Sequence, residues 1–233
     1  METLRAVEGR VFDSRFPWAE IDAEVARSDT AVLDLVREAC LIESYFGTYT
    51  GKLMELFWYD VDATSVLAIE AFEAYSHFYI LRRYLEMVGH RPVTDEEVRE
   101  LRERDRDQQH TDELEELVNF MMTEHFAAQF FSDLAERAPE RVLGDILRRL
   151  TREEVSHSAL AADLIRKRLD ADPALKPVVL EHARNFRHIG AYVLPSVSNV
   201  KENNIEAILR MDRQIRELTG SGLGSAPGSL QEE

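Results

Sequence analysis

Between residues 30 and 88, apolar side chains recur at the three- and four-residue spacing of an α-helix rather than at the alternating spacing of a β-strand. Glycine and proline, which interrupt helices, are scarce in the same stretch. Continued along the chain, the pattern predicts four long helices, over residues 30–57, 62–88, 112–137 and 139–169. We therefore expect an all-α protein.

Shorter helices are predicted around these four. Thr94 and Glu97 have the spacing of a capping box, which indicates the start of a short, charged helix. Apolar spacing predicts two more helices near residues 174–187 and 203–218. With these additions the predicted fold is a bundle of four long helices with several short ones packed against it.

The ends of the chain lack this periodicity. Residues 1–29 are expected to form an arm packed over the body, and residues 219–233 have the glycine- and serine-rich composition of a flexible tail. The predicted helical domain therefore covers residues 30–218. Within it, residues 102–110 are dense in charged and amide side chains, so we expect them to be solvated and outside the core.

The second predicted helix is apolar nearly all round, which is typical of a central, buried element. Nevertheless, Glu70, Glu73 and His77 fall within a sector of roughly 60° on this helix. Burying two carboxylates and an imidazole is costly unless they are compensated. The pattern on this helix alone leaves two interpretations open, a satisfied polar cluster or a bound cation.

The other three long helices also carry acids on apolar faces. Glu154 and His157 lie three residues apart on the fourth helix, Glu124 lies on the third, and Glu43 lies on the first. The order repeats, because His77 follows Glu43 by 34 residues and His157 follows Glu124 by 33. Two helix pairs related by an approximate twofold axis would give this repeat, and chance is a poor explanation for it.

Glutamates from two helices together with Glu and His from two others, all projecting into a bundle core, form the di-iron or di-manganese site of ferritin-like proteins. Carboxylates can bridge two cations and balance their charge, and each imidazole supplies a neutral nitrogen ligand that suits iron. The expected architecture is therefore a ferritin-like four-helix bundle core with additional short helices. It would hold two iron ions, or manganese in their place, and such a site can activate dioxygen.

Composition and charge narrow the range of partners. The 233 residues contain 28 Lys and Arg against 44 Asp and Glu, a net charge of −16, which disfavours binding to nucleic acid or to an anionic membrane surface. The single cysteine, Cys40, excludes an intramolecular disulfide and fits a reducing compartment. No signal-peptide pattern or membrane-spanning apolar stretch is evident, so we expect a cytoplasmic protein that binds no membrane.

Over roughly residues 30–195 the sequence resembles the soluble acyl-carrier-protein desaturases. The segments that carry this resemblance are Glu43-Ser-Tyr-Phe-Gly-Thr-Tyr, Glu73-Ala-Tyr-Ser-His77, Arg83-Tyr84-Leu85 with Gly89, Glu124, and Glu153-Glu154-Val-Ser-His157. The resemblance implies that the acids and histidines hold two irons and that a ferredoxin-type protein supplies electrons. It also implies an acyl chain on acyl carrier protein lying in a channel past the metals, and a homodimer.

Two positions depart from the family pattern. Ala74 stands where the family has the acid that bridges the irons, and we expect Glu73 to replace it through a small rotation or a π-bulge, in preference to Glu70. Ala127 stands where the family has a threonine near the oxygen site, which puts oxygen handling in question. The expected metal ligands are Glu43, Glu73, His77, Glu124, Glu154 and His157.

Three functions are compatible with these observations. The first is a desaturase-like oxidoreductase that removes hydrogens from a carrier-bound acyl chain, for which the basic side chains on the fourth helix, such as Arg148 and Arg152, offer a contact for an acidic carrier protein. The second is a di-iron oxygenase that hydroxylates or N-oxygenates another substrate. The third is a non-catalytic, desaturase-like scaffold whose metal site has degenerated. Metal content separates the third from the other two.

Overall fold

The computed structural model describes residues 16–194 and 204–224, and within these ranges all regular structure is helical. The α-helices are α1 (Ala23–Ala26), α2 (Thr30–Leu56), α3 (Val61–Met87), α4 (Asp95–Glu103), α5 (Glu113–Arg137), α6 (Arg141–Ala171), α7 (Lys176–Arg184) and α8 (Ile205–Thr219). Three short 3-10 helices cover Trp18–Glu20, Pro173–Leu175 and Ile189–Tyr192. The predicted all-α class is confirmed. The predicted tail and most of the predicted arm lie outside the described residues.

Local sequence explains where the long helices begin. The side chains of Asp29, Asp60 and Asp112 each accept hydrogen bonds from backbone N–H groups in the first turn of α2, α3 and α5. The predicted capping box of Thr94 and Glu97 is confirmed at the start of α4. Because caps and apolar spacing agree along these segments, the four long helices lie within two residues of their predicted bounds.

The four long helices pack as two hairpins. Helix α2 lies along α3, helix α5 lies along α6, and the hairpins meet chiefly through α3 and α6. Ion pairs between Asp62 and Lys167 and between His77 and Glu153 show that α3 and α6 run antiparallel. Helix α4 packs on α2, and α7 packs on α5 and α8. None of the helices in the described ranges is both long enough and apolar enough to cross a membrane.

Two apolar clusters fill the bundle, one toward each end. Leu53, Leu67 and Leu164 belong to one cluster, and Leu33 and Leu81 belong to the other. Between the two clusters, each long helix contributes acidic or histidine side chains to a buried polar layer. Because buried charged groups need compensation, this layer is where chemistry is expected.

Helix α3 is only partly covered by the rest of the chain. Its inner face is buried, but Val61, Ile69 and Phe72 on its outer face are 75%, 50% and 58% exposed. The prediction that this helix is buried nearly all round is therefore wrong for the single chain. An apolar pattern shows which side chains are apolar, but it does not show whether other residues of the same chain bury them.

The segment between α4 and α5 also differs from its prediction. Asp105 and the side chain of His110 are buried, although the local sequence indicates a solvated connector. Nδ1 of His110 lies 2.7 Å from a carboxylate oxygen of Glu116, and Lys52 donates to Asp105 at 2.9 Å. Burial alone lowers the pKa of His110, but contacts with the carboxylates of Asp105 and Glu116 outweigh it and raise the pKa to about 9.

Candidate metal centre

Six buried side chains from α2, α3, α5 and α6 meet in the polar layer: Glu43, Glu70, His77, Glu124, Glu154 and His157. Their nitrogen and oxygen atoms form two groups, and within each group the atoms lie within 4.8 Å of one another. We call the group formed by Glu43, His77 and Glu154 site A. We call the group formed by Glu70, Glu124, Glu154 and His157 site B. Either group could hold a metal ion.

Glu154 belongs to both sites. Its Oε1 lies 3.0 Å from Nδ1 of His77, and its Oε2 lies 2.9 Å from Nδ1 of His157. The carboxylate therefore directs one oxygen toward each histidine. A carboxylate in this position can bridge two cations and offset part of the charge of both.

Helical periodicity explains how α3 serves both sites. Glu70 and His77 are seven residues apart, which is two turns of an α-helix, so both face the bundle interior. Glu70 Oε2 lies 2.6 Å from Nδ1 of His157 in site B, whereas Nδ1 of His77 lies 3.4 Å from Glu43 Oε2 in site A. One helix thus contributes a carboxylate to one site and an imidazole to the other.

Both histidines are held from outside by a carboxylate. Nε2 of His77 lies 2.9 Å from Glu153, and Nε2 of His157 lies 2.6 Å from Glu73. The two contacts are reciprocal, because each acid stands four residues before the histidine of its own helix and contacts the histidine of the other helix. A carboxylate that accepts the Nε2 proton leaves the Nδ1 lone pair directed at the centre, as in carboxylate–histidine–metal arrangements.

The structure therefore separates the roles of Glu70 and Glu73. Glu70 lies in site B, and Glu73 lies on the far side of the His157 ring with 30% of its side chain exposed. Helix α3 is a regular α-helix throughout, without the π-bulge that was expected to turn Glu73 inward. Position 70 is one turn before Ala74 and shares its face, whereas position 73 is offset from Ala74 by about 100°.

Several atoms of the centre lack hydrogen-bond partners in the described part of the chain. These buried atoms are Oε2 of Glu70, Nδ1 of His77, Oε1 of Glu124 and Oε1 of Glu154. Unpaired buried polar atoms are costly. Nδ1 of His77 lies in site A, Oε2 of Glu70 and Oε1 of Glu124 lie in site B, and Glu154 belongs to both, so a cation in each site would compensate them.

The protonation of the carboxylates follows from burial and mutual repulsion. Burial raises the pKa of Glu43 to about 7, and burial with repulsion from Glu70 and Glu154 holds the pKa of Glu124 well above its usual range. Burial alone would also raise the pKa of Glu154, but its contacts with His77 and His157 lower it. A concentration of carboxylates that repel one another in this way suits a divalent cation.

A cavity of about 410 Å³ between α2 and α5 reaches this centre, since Glu43 and Glu124 line it. Most of its wall is apolar and includes Ile42, Phe46, Phe126, Ala127, Phe131 and Leu134. The exposed side chains of Asp133 and Arg137 line the part of the cavity that is farthest from Glu124 along α5. Ala127, identified in the sequence as a departure from the desaturase pattern, faces this cavity.

Comparisons of the chain with protein-family models, with curated proteins and with solved structures found no match. The resemblance to acyl-carrier-protein desaturases therefore stays a prediction.

Proposed function

We propose that this protein is an oxidoreductase that holds two metal ions, iron or manganese, at sites A and B. The observation that carries the proposal is the position of Glu154, whose two oxygens face the histidines of two adjoining carboxylate and imidazole groups. The bound metals would supply activation of dioxygen. The proposed ligands are Glu43, Glu70, His77, Glu124, Glu154 and His157, with Glu70 rather than Glu73 in place of the acid missing at position 74.

The side chains around the ligands orient the site. Glu73 and Glu153 accept the Nε2 protons of His157 and His77, which fixes the tautomer in which Nδ1 is a ligand. The largely apolar wall of the cavity favours a substrate with an apolar chain. These features support an acyl chain as substrate, as in the resemblance, with acyl carrier protein and a ferredoxin-type donor as the proposed partners.

A second reaction has one observation in its favour. Ala127 lines the cavity together with Glu124, so position 127 lacks the hydroxyl that the desaturase pattern places near the oxygen site. Oxygen insertion into a substrate, by hydroxylation or N-oxygenation, is the alternative that this change favours. Arg148, Arg149 and Arg152 line a separate surface pocket with Phe16, which offers an acidic carrier protein a contact in either case.

Metal analysis is the first test. Protein purified with iron supplied is expected to contain two irons per chain and to show the optical absorption of bound ferric iron. Mass spectrometry of the acyl product, after incubation with oxygen, reduced ferredoxin and a long-chain acyl group on acyl carrier protein, then separates the reactions. Desaturation gives a product with two hydrogens fewer than the substrate, and hydroxylation gives a product with one oxygen atom more. A chain that binds neither iron nor manganese would support the non-catalytic scaffold instead.

We propose that a second copy of the chain covers the outer face of α3, giving a homodimer. The exposed face formed by Val61, Ile69 and Phe72 is apolar, and the nearby Asp62 is paired with Lys167. The charge of Asp62 beside this face is thus compensated within the chain. Helices that expose an apolar stripe are stabilised when that stripe is buried.

Light scattering tests this interface. The wild type is expected at twice the 26.8 kDa of one chain at micromolar concentration, and Ile69→Lys is expected to shift it to the monomer because the change buries a charge at the contact. Leu209→Lys is the matched control, since Leu209 on α8 is 53% exposed and Ile69 is 50% exposed. A monomeric wild type, or equal effects of the two variants, would contradict the dimer.

A further inference from the structure

The two halves of the metal centre do not contain the same number of ligands. Site A has three protein side chains, Glu43, His77 and Glu154, and site B has four, because Glu70 adds a carboxylate to Glu124, Glu154 and His157. The difference arises at position 74, where alanine replaces the acid that would be shared between the metals. Its substitute stands one turn earlier, at position 70, and contacts the histidine of site B alone.

We propose that sites A and B are unequal: site B binds the first metal ion tightly, and site A binds the second ion more loosely. This inference rests on the proposed function, since it concerns the same two ions. It makes Glu70 the residue that distinguishes the sites and Glu43 the residue that completes the weaker one.

Charge and burial support this order of binding. Site B directs three carboxylates at its cation, and site A directs two, one of which it shares with site B. The affinity of an oxygen-rich site for a divalent cation rises with the number of its charged ligands. Glu70 and Glu124 are 2% exposed, whereas Glu43 is 7% exposed. The better shielded site therefore also has the larger negative charge.

Titration of the metal-free protein with Mn²⁺ tests the inference, with bound and free ions followed by electron paramagnetic resonance. We expect one ion to bind at least about tenfold more tightly than the second, a difference of about 1.4 kcal/mol. Glu43→Gln is expected to remove the weaker ion and leave the affinity of the first unchanged. Glu70→Gln is expected to lower the affinity for the first ion. The double variant Glu70→Ala with Ala74→Glu is expected to make the affinities for the two ions similar.

The outcomes separate this inference from the proposed function. Two Mn²⁺ ions that bind with equal affinity would overturn the inference but not the two-metal proposal. The same would hold if Glu43→Gln lowered the affinity for the first ion as much as Glu70→Gln does. A protein that binds no Mn²⁺ at all would overturn both. Circular dichroism of the glutamine variants, which keep the shape of the side chain, establishes that each is folded.

Discussion

Glu154→Gln is expected to abolish tight binding of both metal ions while leaving the helix content unchanged. The substitution keeps the shape of the side chain but removes the negative charge that sites A and B share. Because changes in the groups that merely support a metal ligand already cost 10- to 100-fold in affinity, loss of the shared ligand is expected to cost about 100-fold or more at each site. The fold is retained because the two apolar clusters at the ends of the bundle provide most of its stability.

Glu153→Gln is the matched control for this variant. Glu153 is the preceding residue on α6, but it contacts Nε2 of His77 and is absent from both ligand groups. The control variant is expected to weaken the binding of the ion at site A and to leave the binding at site B unchanged. Inductively coupled plasma analysis with circular dichroism measures both effects, and a Glu154→Gln protein with two bound metals would show that the shared carboxylate is not a ligand.

Metal binding is expected to raise the melting temperature of the protein by roughly 8 to 16 °C. The native state gathers the ligands from four helices, whereas the unfolded chain separates them, so binding stabilises only the folded protein. At a free metal concentration of about a thousand times Kd, this linkage contributes about 4 kcal/mol. In a domain of this size each kcal/mol corresponds to roughly 2 to 4 °C.

Differential scanning calorimetry of the protein with Mn²⁺ and with a chelator measures this shift. The Glu154→Gln variant provides the control, because it retains the bundle but lacks the shared carboxylate, and its melting temperature is expected to respond little to metal. Identical melting temperatures for the wild type with metal and with chelator would contradict the assignment of the polar layer as a metal centre.

Much of the fold follows from local sequence. Apolar spacing together with the aspartate caps at Asp29, Asp60 and Asp112 defines the long helices, because both signals act within a few residues. The same periodicity places Glu124 and His157 on inward faces, and the structure brings both into site B. Features determined within one helix were therefore accessible from the sequence.

Features that depend on contacts between separate elements could not be predicted from the sequence. Glu70 and Glu73 share one sector of α3, and only the packing of α3 against α6 places the first in site B and the second behind His157. His110 lies in a segment that is polar in sequence, yet Glu116 of α5 and the ring of Tyr49 of α2 surround it. These contacts join separate elements of the fold, and no local sequence pattern predicts them.

The crossed contacts of Glu73 with His157 and of Glu153 with His77 have a mechanical consequence. The two contacts link α3 to α6 one turn apart, and each helix contributes the carboxylate to one contact and the histidine to the other. An axial displacement of one helix relative to the other therefore lengthens both contacts. A shift of one turn, about 5.4 Å, would break both. The axial alignment of α3 and α6 therefore sets the spacing of His77 and His157, and with it the spacing of the two proposed metal sites.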